Sequence, residues 1–244
     1  MFMSEYRARF AKENKLKFLS HLELIRAMVR SLRRAGLEMA YSEGFHPHPK
    51  LSFGPALAVG VSSSHEFFDL QLTTDPAPDL LKNKLNMALP EGLKILDVKK
   101  ITHHVKPLNA IINRASYSLL LRAEPGDIPH IIESLHRLPE RDQLFVDRRN
   151  KDGMKTVNIR PWLHNVNAEA IGADRIMVNL VGEIGSGGNL RPEDLVGLLT
   201  PPVEVLSIHR SGLWHEDKGQ VIEPMQFCEH QTMHLSTGNP EGNR

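Results

Sequence analysis

Ser20-His-Leu-Glu-Leu-Ile-Arg-Ala-Met-Val-Arg-Ser-Leu-Arg-Arg-Ala-Gly36 is followed closely by Tyr41-Ser-Glu-Gly-Phe-His-Pro-His-Pro-Lys50 and Leu51-Ser-Phe-Gly-Pro-Ala-Leu-Ala-Val-Gly60. Ser20 and Glu23 have capping-box spacing, and Leu19 can staple to Leu24 across the helix start. Leu22, Ile25, Val29 and Leu32 recur at helical spacing, and Gly36 is a natural stop beyond the C-cap. Arg26, Arg30, Arg33 and Arg34 then share another face. Helix cannot continue through the next stretch. Pro47 and Pro49 each lack a donor and push His46 and His48 into extended geometry. Residues two apart in an extended chain point the same way, so both imidazoles are expected on one surface.

Working outward, residues 5–12 alternate, with Tyr6, Ala8 and Phe10 on one side, and read as a strand that precedes the helix. Residues 51–59 form a second strand, interrupted at Gly54-Pro55, and residues 65–72 a third. Pro76 and Pro78 open a second helix that Pro90 stops, and residues 93–101 close as a fourth strand. Strand–helix–strand–strand–helix–strand is the order of the ferredoxin-like split βαβ motif. Residues 103–113 read as a linker, after which the order recurs. Residues 116–123 are a strand and Asp127 starts a helix. Residues 144–148 and 154–159 make a hairpin around Asn150-Lys-Asp-Gly153. Arg160-Pro-Trp-Leu163 breaks that strand. Residues 175–183 are another strand, 192–199 a short helix and 203–210 the last strand. The expected fold is α+β: two tandem ferredoxin-like (βαββαβ) units, residues 1–102 and 114–213, with a disordered polar tail over 214–244.

An apolar content of 41% and a charged content of 24% are those of a globular protein. The N-terminus lacks the apolar core of a signal peptide, and no apolar run reaches membrane-spanning length, so a cytoplasmic location is expected. A single cysteine, Cys228, rules out an internal disulfide and a self-sufficient all-cysteine iron–sulfur site. The net charge of +1 hides an asymmetry: residues 1–60 carry ten Lys/Arg against five Asp/Glu, a local +5. That points to an anionic partner met by one face.

Thirteen histidines invite a metal reading, with His46 and His48 joined by His21 or His65, but no spacing fits a zinc pattern. Cys228, His230 and His234 offer at most adventitious binding. A histidine near neutrality is also a general acid–base. His46 or His48, with Tyr41 and Lys50 nearby, supplies the residue types of a metal-independent endoribonuclease. A rigid docking loop is the simpler use of Pro-His-Pro. Gly182-Glu-Ile-Gly-Ser-Gly-Gly-Asn189 lies between strand and helix, where amides can cradle phosphate, but matches neither the P-loop nor the dinucleotide pattern.

Lys17-Phe-Leu-Ser-His-Leu-Glu23, Arg33-Arg-Ala-Gly36, Tyr41 to Gly60 and Asn158-Ile-Arg-Pro161 together resemble the radical-SAM-linked family of uncharacterised bacterial proteins, over most of residues 5–213. Members of that family occur beside, or fused to, a radical SAM protein. The resemblance implies such a protein as a partner and carries over no catalytic residue. Two tandem ferredoxin-like units are also similar, at the level of fold only, to CRISPR repeat-processing endoribonucleases. The expectation is a non-catalytic accessory subunit, without a cofactor of its own, that binds RNA or a ribonucleoprotein substrate. Arg26, Arg30, Arg33, Arg34, Tyr41, His46, His48 and Lys50 would make the contacts, with Phe45 and Phe53 stacking on bases. The alternatives are the endoribonuclease and a purely protein-binding adaptor, since arginine suits carboxylate and phosphate alike.

Overall fold

The structure, a computed structural model, describes residues 3–229 except residue 152. The first half runs β1 (Ser4–Lys12), α1 (His21–Arg34), β2 (Leu51–Phe53), β3 (Ser62–Leu72), α2 (Pro78–Ala88) and β4 (Leu93–Ile101), with a 3-10 turn at Asn14–Phe18. After α3 (Leu108–Ile111) come β5 (Arg114–Arg122), α4 (Ile128–Arg137), β6 (Phe145–Asn150) and β7 (Gly153–Asn158). β8 (Leu163–Ile171), β9 (Arg175–Glu183), α5 (Pro192–Val196), β10 (Glu204–Asp217) and β11 (Gln220–Ile222) complete the strands and helices, followed by a 3-10 turn at Pro224–Cys228.

The result is a mixed α/β fold with a mostly sheet core. Seven strands lie in the order β4-β1-β3-β10-β5-β9-β8, with β2 added to β3, β11 added to β10, and β6–β7 as a separate ribbon. The described pairings are antiparallel except one. β3 meets β10 in parallel, over Ser62–Ser63 and His209–Arg210, and this short contact joins the two halves into one sheet.

Alternation in β1 sends Tyr6, Ala8 and Phe10 into a core with Phe68, Leu70 and Leu72 of β3, Leu24, Met28 and Leu32 of α1, and Leu81 and Leu85 of α2. The other face of β1 is not open to water, as plain alternation would suggest. Arg7 is fully buried there and grips Asp69 with Nε and Nη2 at 2.8 and 2.9 Å, while its Nη1 donates to Pro224 O at 2.9 Å. A second core gathers Ala115, Leu119 and Leu121 of β5 against Ile131 and Leu135 of α4. Leu57, Val61 and Phe67 from the first half also belong to it, so the halves share their packing.

Four expectations are corrected. The segment 103–113 is not a free linker: α3 buries Leu108, Ile111 and Ile112 in the second core. The strand expected over 51–59 stops at Phe53, because Gly54 turns away and the chain drops Leu57 and Val61 into that core. The hairpin of β6 and β7 stands outside the main sheet, and the chain re-enters it through β8, which pairs with β9 around a left-handed Gly172 at φ 71°. The tail expected to be disordered from 214 continues β10 to Asp217, adds β11, and seats Met225 and Cys228 in the interior. Residues 230–244, with His230 and His234, lie outside the described residues. Among the described residues no helix is long and apolar enough to cross a membrane.

Asp69→Ala strands the Arg7 guanidinium in the interior and is expected to cost about 3–5 kcal/mol in urea unfolding. Replacing both partners, as Arg7→Met with Asp69→Leu, is expected to cost less, because no charge is left unpaired. Burial pushes the Cys228 thiol up to about 11. Alkylation near neutral pH is therefore expected to be slow in the folded protein and fast in denaturant; equal rates would mean that the 224–228 turn does not seal the back of the sheet.

Candidate nucleic-acid interface

The capping box at the head of α1 forms as its spacing requires. Ser20 N donates to Glu23 Oε2 at 2.8 Å, and Glu23 N donates to Ser20 Oγ at 3.4 Å. The helix ends in a Schellman arrangement, with Leu37 N bonded to Leu32 O at 3.2 Å, Gly36 N to Arg33 O at 3.1 Å and Gly36 at φ 64°. The buried stripe is Leu24, Ala27, Met28, Ser31 and Leu32. Leu22, expected inside, is 55% exposed, and Ile25 and Val29 are half-buried. Rotating the stripe this way leaves Arg26, Arg30, Arg33 and Arg34 exposed within one arc of the helix. Arg34 is partly occupied by a bond to Ser31 Oγ at 3.2 Å, and it lines an open groove with Lys84 and Met87 between α1 and α2. Arg30 has no hydrogen-bond or ion-pair partner among the described residues.

The Tyr41–Lys50 loop leaves the end of α1 and is tied at its neck. Tyr41 bridges Pro49, Ser42 N donates to His48 O at 2.8 Å, and His48 N donates to Ser42 Oγ at 3.0 Å. Lys50 N bonds Ala40 O at 2.8 Å, which fastens the neck to the sheet. Arg33 Nη2 donates to Tyr41 Oη at 3.4 Å, so helix and loop form one surface. At the loop tip Phe45 is fully exposed, next to Gly44 at φ 111°. His46 and His48 are exposed, and neither ring has a partner among the described residues.

Phe53 is not part of this surface. Its ring packs against Phe10, Phe68 and His21 at centroid distances of 6.0, 5.5 and 5.7 Å, so it is occupied by the core and not free to stack on a base. Among the described residues no group of three or more His, Cys, Asp and Glu is placed to hold a metal. The glycine-rich loop also has a packing explanation. A Cβ on Gly188 would sit 2.2 Å from Trp162 Cδ1, and one on Gly182 would sit 2.3 Å from Leu190 Cδ2. Arg148 stacks over Trp162 at 5.2 Å and donates to Asn189 O at 2.8 Å, so the loop is clasped against the body.

A polar cluster that the sequence does not announce lies at the β3–β10 contact. His209 Nδ1 is 3.0 Å from Ser62 Oγ and its Nε2 is 3.2 Å from Ser64 Oγ. Ser64 Oγ is 3.0 Å from His65 Nδ1, and Arg9 Nη1 is 3.4 Å from His65 Nε2. Burial, and then the Arg9 charge, lower the His65 pKa from its ordinary 6.5. The residues that meet here are far apart in the chain, and only the isolated Ser62-Ser-Ser-His65 run hinted at them.

Residues 5–192 match the profile of a family described as an uncharacterised protein conserved in bacteria, DUF2344. The chain belongs to this family. No curated protein sequence matches it. Among solved structures, a Cbf5–Nop10–Gar1 complex is similar at 12% identity and a TM-score of 0.47, over 87% of this chain and 50% of that one. The archaeal box H/ACA sRNP Nop10–Cbf5 complex follows at 10% identity and 0.40, over 84% and 46%. An unknown protein from Galdieria sulphuraria is matched at 10% identity and 0.26, over 84% and 99%. The chain spans about half the length of the H/ACA chains it matches. With each of these scores below 0.5, none of these likenesses bears on what the chain does.

A histidine held below 6.5 in the folded state binds fewer protons than the same residue in the unfolded chain. Its contribution to stability is therefore complete above that value and lost as the pH falls below it. Chemical denaturation of the wild type is expected to show lower stability at about pH 5.5 than at about pH 7.5, with a smaller difference in His65→Gln. An identical difference in the two proteins would show that His65 is not linked to folding.

Proposed function

We propose that this protein binds RNA through the exposed arginines of α1 and the Tyr41–Lys50 loop, and that it serves as a non-catalytic accessory to a radical SAM enzyme. The observation that carries the RNA reading is the joining of four exposed arginines to a fixed loop with a fully exposed Phe45 at its tip. Guanidinium groups supply contacts to phosphates, and an exposed aromatic ring offers a face on which an unpaired base can stack. Lys50 and the groove cation Lys84 extend the same basic surface. The radical SAM partner rests on the sequence resemblance and on the single cysteine, which leaves any cluster to another chain.

The architecture is in keeping with two ferredoxin-like units in tandem. On this reading β4-β1-β3-β2 is the sheet of the first and β10-β5-β9-β8 the sheet of the second, with β6–β7 inserted after α4. The endoribonuclease reading is the weaker one, because a general base needs an oriented ring and neither His46 nor His48 has an orienting partner among the described residues.

Fluorescence anisotropy with a labelled single-stranded RNA tests the proposal. Arg30→Ala with Arg33→Ala is expected to weaken binding and to lower the salt slope by roughly 0.7 per lost phosphate contact. Phe45→Ala is expected to cost about 1–3 kcal/mol with an unchanged slope. If neither variant changes affinity, the α1 face is not where RNA binds.

A further inference from the structure

The 3-10 turn Asn14–Phe18 and the β3–β10 contact enclose a groove lined by Glu13, Asn14, Lys15, Lys17, Ser62 and His209, with Phe18 along its edge. The turn that presents the two lysines is pinned. Glu13 N donates to Gly92 O at 2.8 Å, Gly60 N donates to Lys17 O at 2.9 Å, and Asn14 takes a left-handed φ of 52°. Phe18 is 61% exposed, and the Lys17 ammonium sits 5.2 Å from its ring centroid. Its ring therefore stands free at the edge of the groove, where it can meet an unpaired base.

The wall of the groove is ordered by its hydrogen bonds. Arg9 can only donate, so His65 Nε2 accepts, and the neutral ring carries its proton on Nδ1 toward Ser64. The Ser64 hydroxyl is then free to donate to His209 Nε2, which places the His209 proton on Nδ1, facing Ser62. The chain of donors ends where Ser62 Oγ donates to Ile208 O at a long 3.3 Å. Ser62 therefore accepts firmly from behind and holds its own proton in its weakest bond, next to the groove.

We propose that this groove binds a phosphate group, with Lys15, Lys17 and the Ser62 hydroxyl as its donors and His209 behind them. Turning the Ser62 hydroxyl from Ile208 O to a phosphate oxygen gives up a long bond for a charge-assisted one. The charges at the groove are Lys15 and Lys17 with Glu13 from the turn, and Arg9, Glu66 and Glu223 act on the neighbouring His65. Glu66 is committed to Arg210, which leaves the cations in excess. Within the RNA reading, on which only this extension rests, the groove holds a phosphate of the strand while Phe18 meets a base. The site is distinct from the α1 arginines and adds selectivity for a strand long enough to reach both.

Two probes keep the two readings apart. In the first, pyrophosphate is titrated into the full chain and followed through the histidine ring signals. The His209 signals are expected to shift, and to stay fixed in Lys15→Ala/Lys17→Ala. In the second, a short labelled oligouridylate is bound to the wild type, to the lysine pair variant and to His209→Gln. The lysine variant is expected to bind roughly tenfold more weakly. His209→Gln, which removes the ring that supports Ser62 Oγ, is expected to weaken binding by a smaller factor than the lysine variant. Should that variant fail to fold, the lysine variant on the turn still decides the matter. Oligonucleotide binding that depends on Arg30 and Arg33 but not on Lys15 and Lys17, with no His209 shift, overturns the groove and leaves the RNA reading standing. A His209 shift with pyrophosphate but no oligonucleotide binding supports the groove and removes RNA.

Discussion

The fully buried guanidinium of Arg210 sits at the parallel contact between β3 and β10, where Nε donates to Glu66 Oε1 at 2.8 Å and Nη2 to Pro55 O at 2.9 Å. Taking two charges out of water costs several kcal/mol per ion, and such a pair persists only when its donors and acceptors are saturated. Here they are, by a carboxylate from β3 and carbonyls from the loop that follows β2. The parallel ladder spans only two residues on each strand, too few backbone bonds to fix a register by themselves. The ion pair supplies what the ladder lacks. A shift of β10 by one residue would move Arg210 to the other face and strand Glu66. The site at His209 exists only because this register is held, since Ser62 and Ser64 flank the ring from the next strand.

Arg7 and Lys12 repeat the theme on β1. Arg7 is closed off by Asp69 and by the 224–228 turn, and Lys12 donates to Leu19 O at 2.9 Å while burial pushes its pKa down. Part of the +5 charge of residues 1–60 is thus structural and never reaches a partner. The arginines of α1, together with Lys15 and Lys17, are the part that faces outward.

Local signals in the sequence lead to the right elements where the structure depends on neighbours in the chain. The Ser20–Glu23 box, the Gly36 stop, the helix bounded by Pro78 and Pro90 and the alternation of β1, β5 and β9 all form. What failed depended on contacts distant in sequence. β8 carries only Leu163, Val166 and Ala168 as buried positions, a faint alternation beside the strong Asn-Lys-Asp-Gly turn that diverted the reading to β6 and β7. Residues 214–229 are polar and acidic, yet they are ordered because β11 finds an edge on β10 and Cys228 finds a cavity beside Arg7 and Asp69. Phe53 reads as a surface aromatic in the strand expected over 51–59, and only the positions of Phe10 and Phe68 show that it is packed. The candidate surface on α1 was legible because helix geometry is local. The groove was not, because its residues come from positions 13–18, 62 and 209.

These two basic surfaces differ in how firmly their cations are held, and that difference assigns them different work. Arg33 and Arg34 are already bonded to Tyr41 and Ser31, whereas a ligand must order Arg26 and Arg30 at a cost in rotamer entropy for each one fixed. They attract an anion from a distance and tolerate many approaches. Lys15 and Lys17 project from a turn fastened by backbone bonds to Gly60 and Gly92, next to a serine whose oxygen is held by His209 and whose proton is free to turn to a ligand. There the turn backbone and the serine oxygen need no ordering, and Lys17 already lies over the Phe18 ring. A ligand held by both surfaces would be drawn in by the first and registered by the second, as phosphate contacts fix position while aromatic contacts accept the bases.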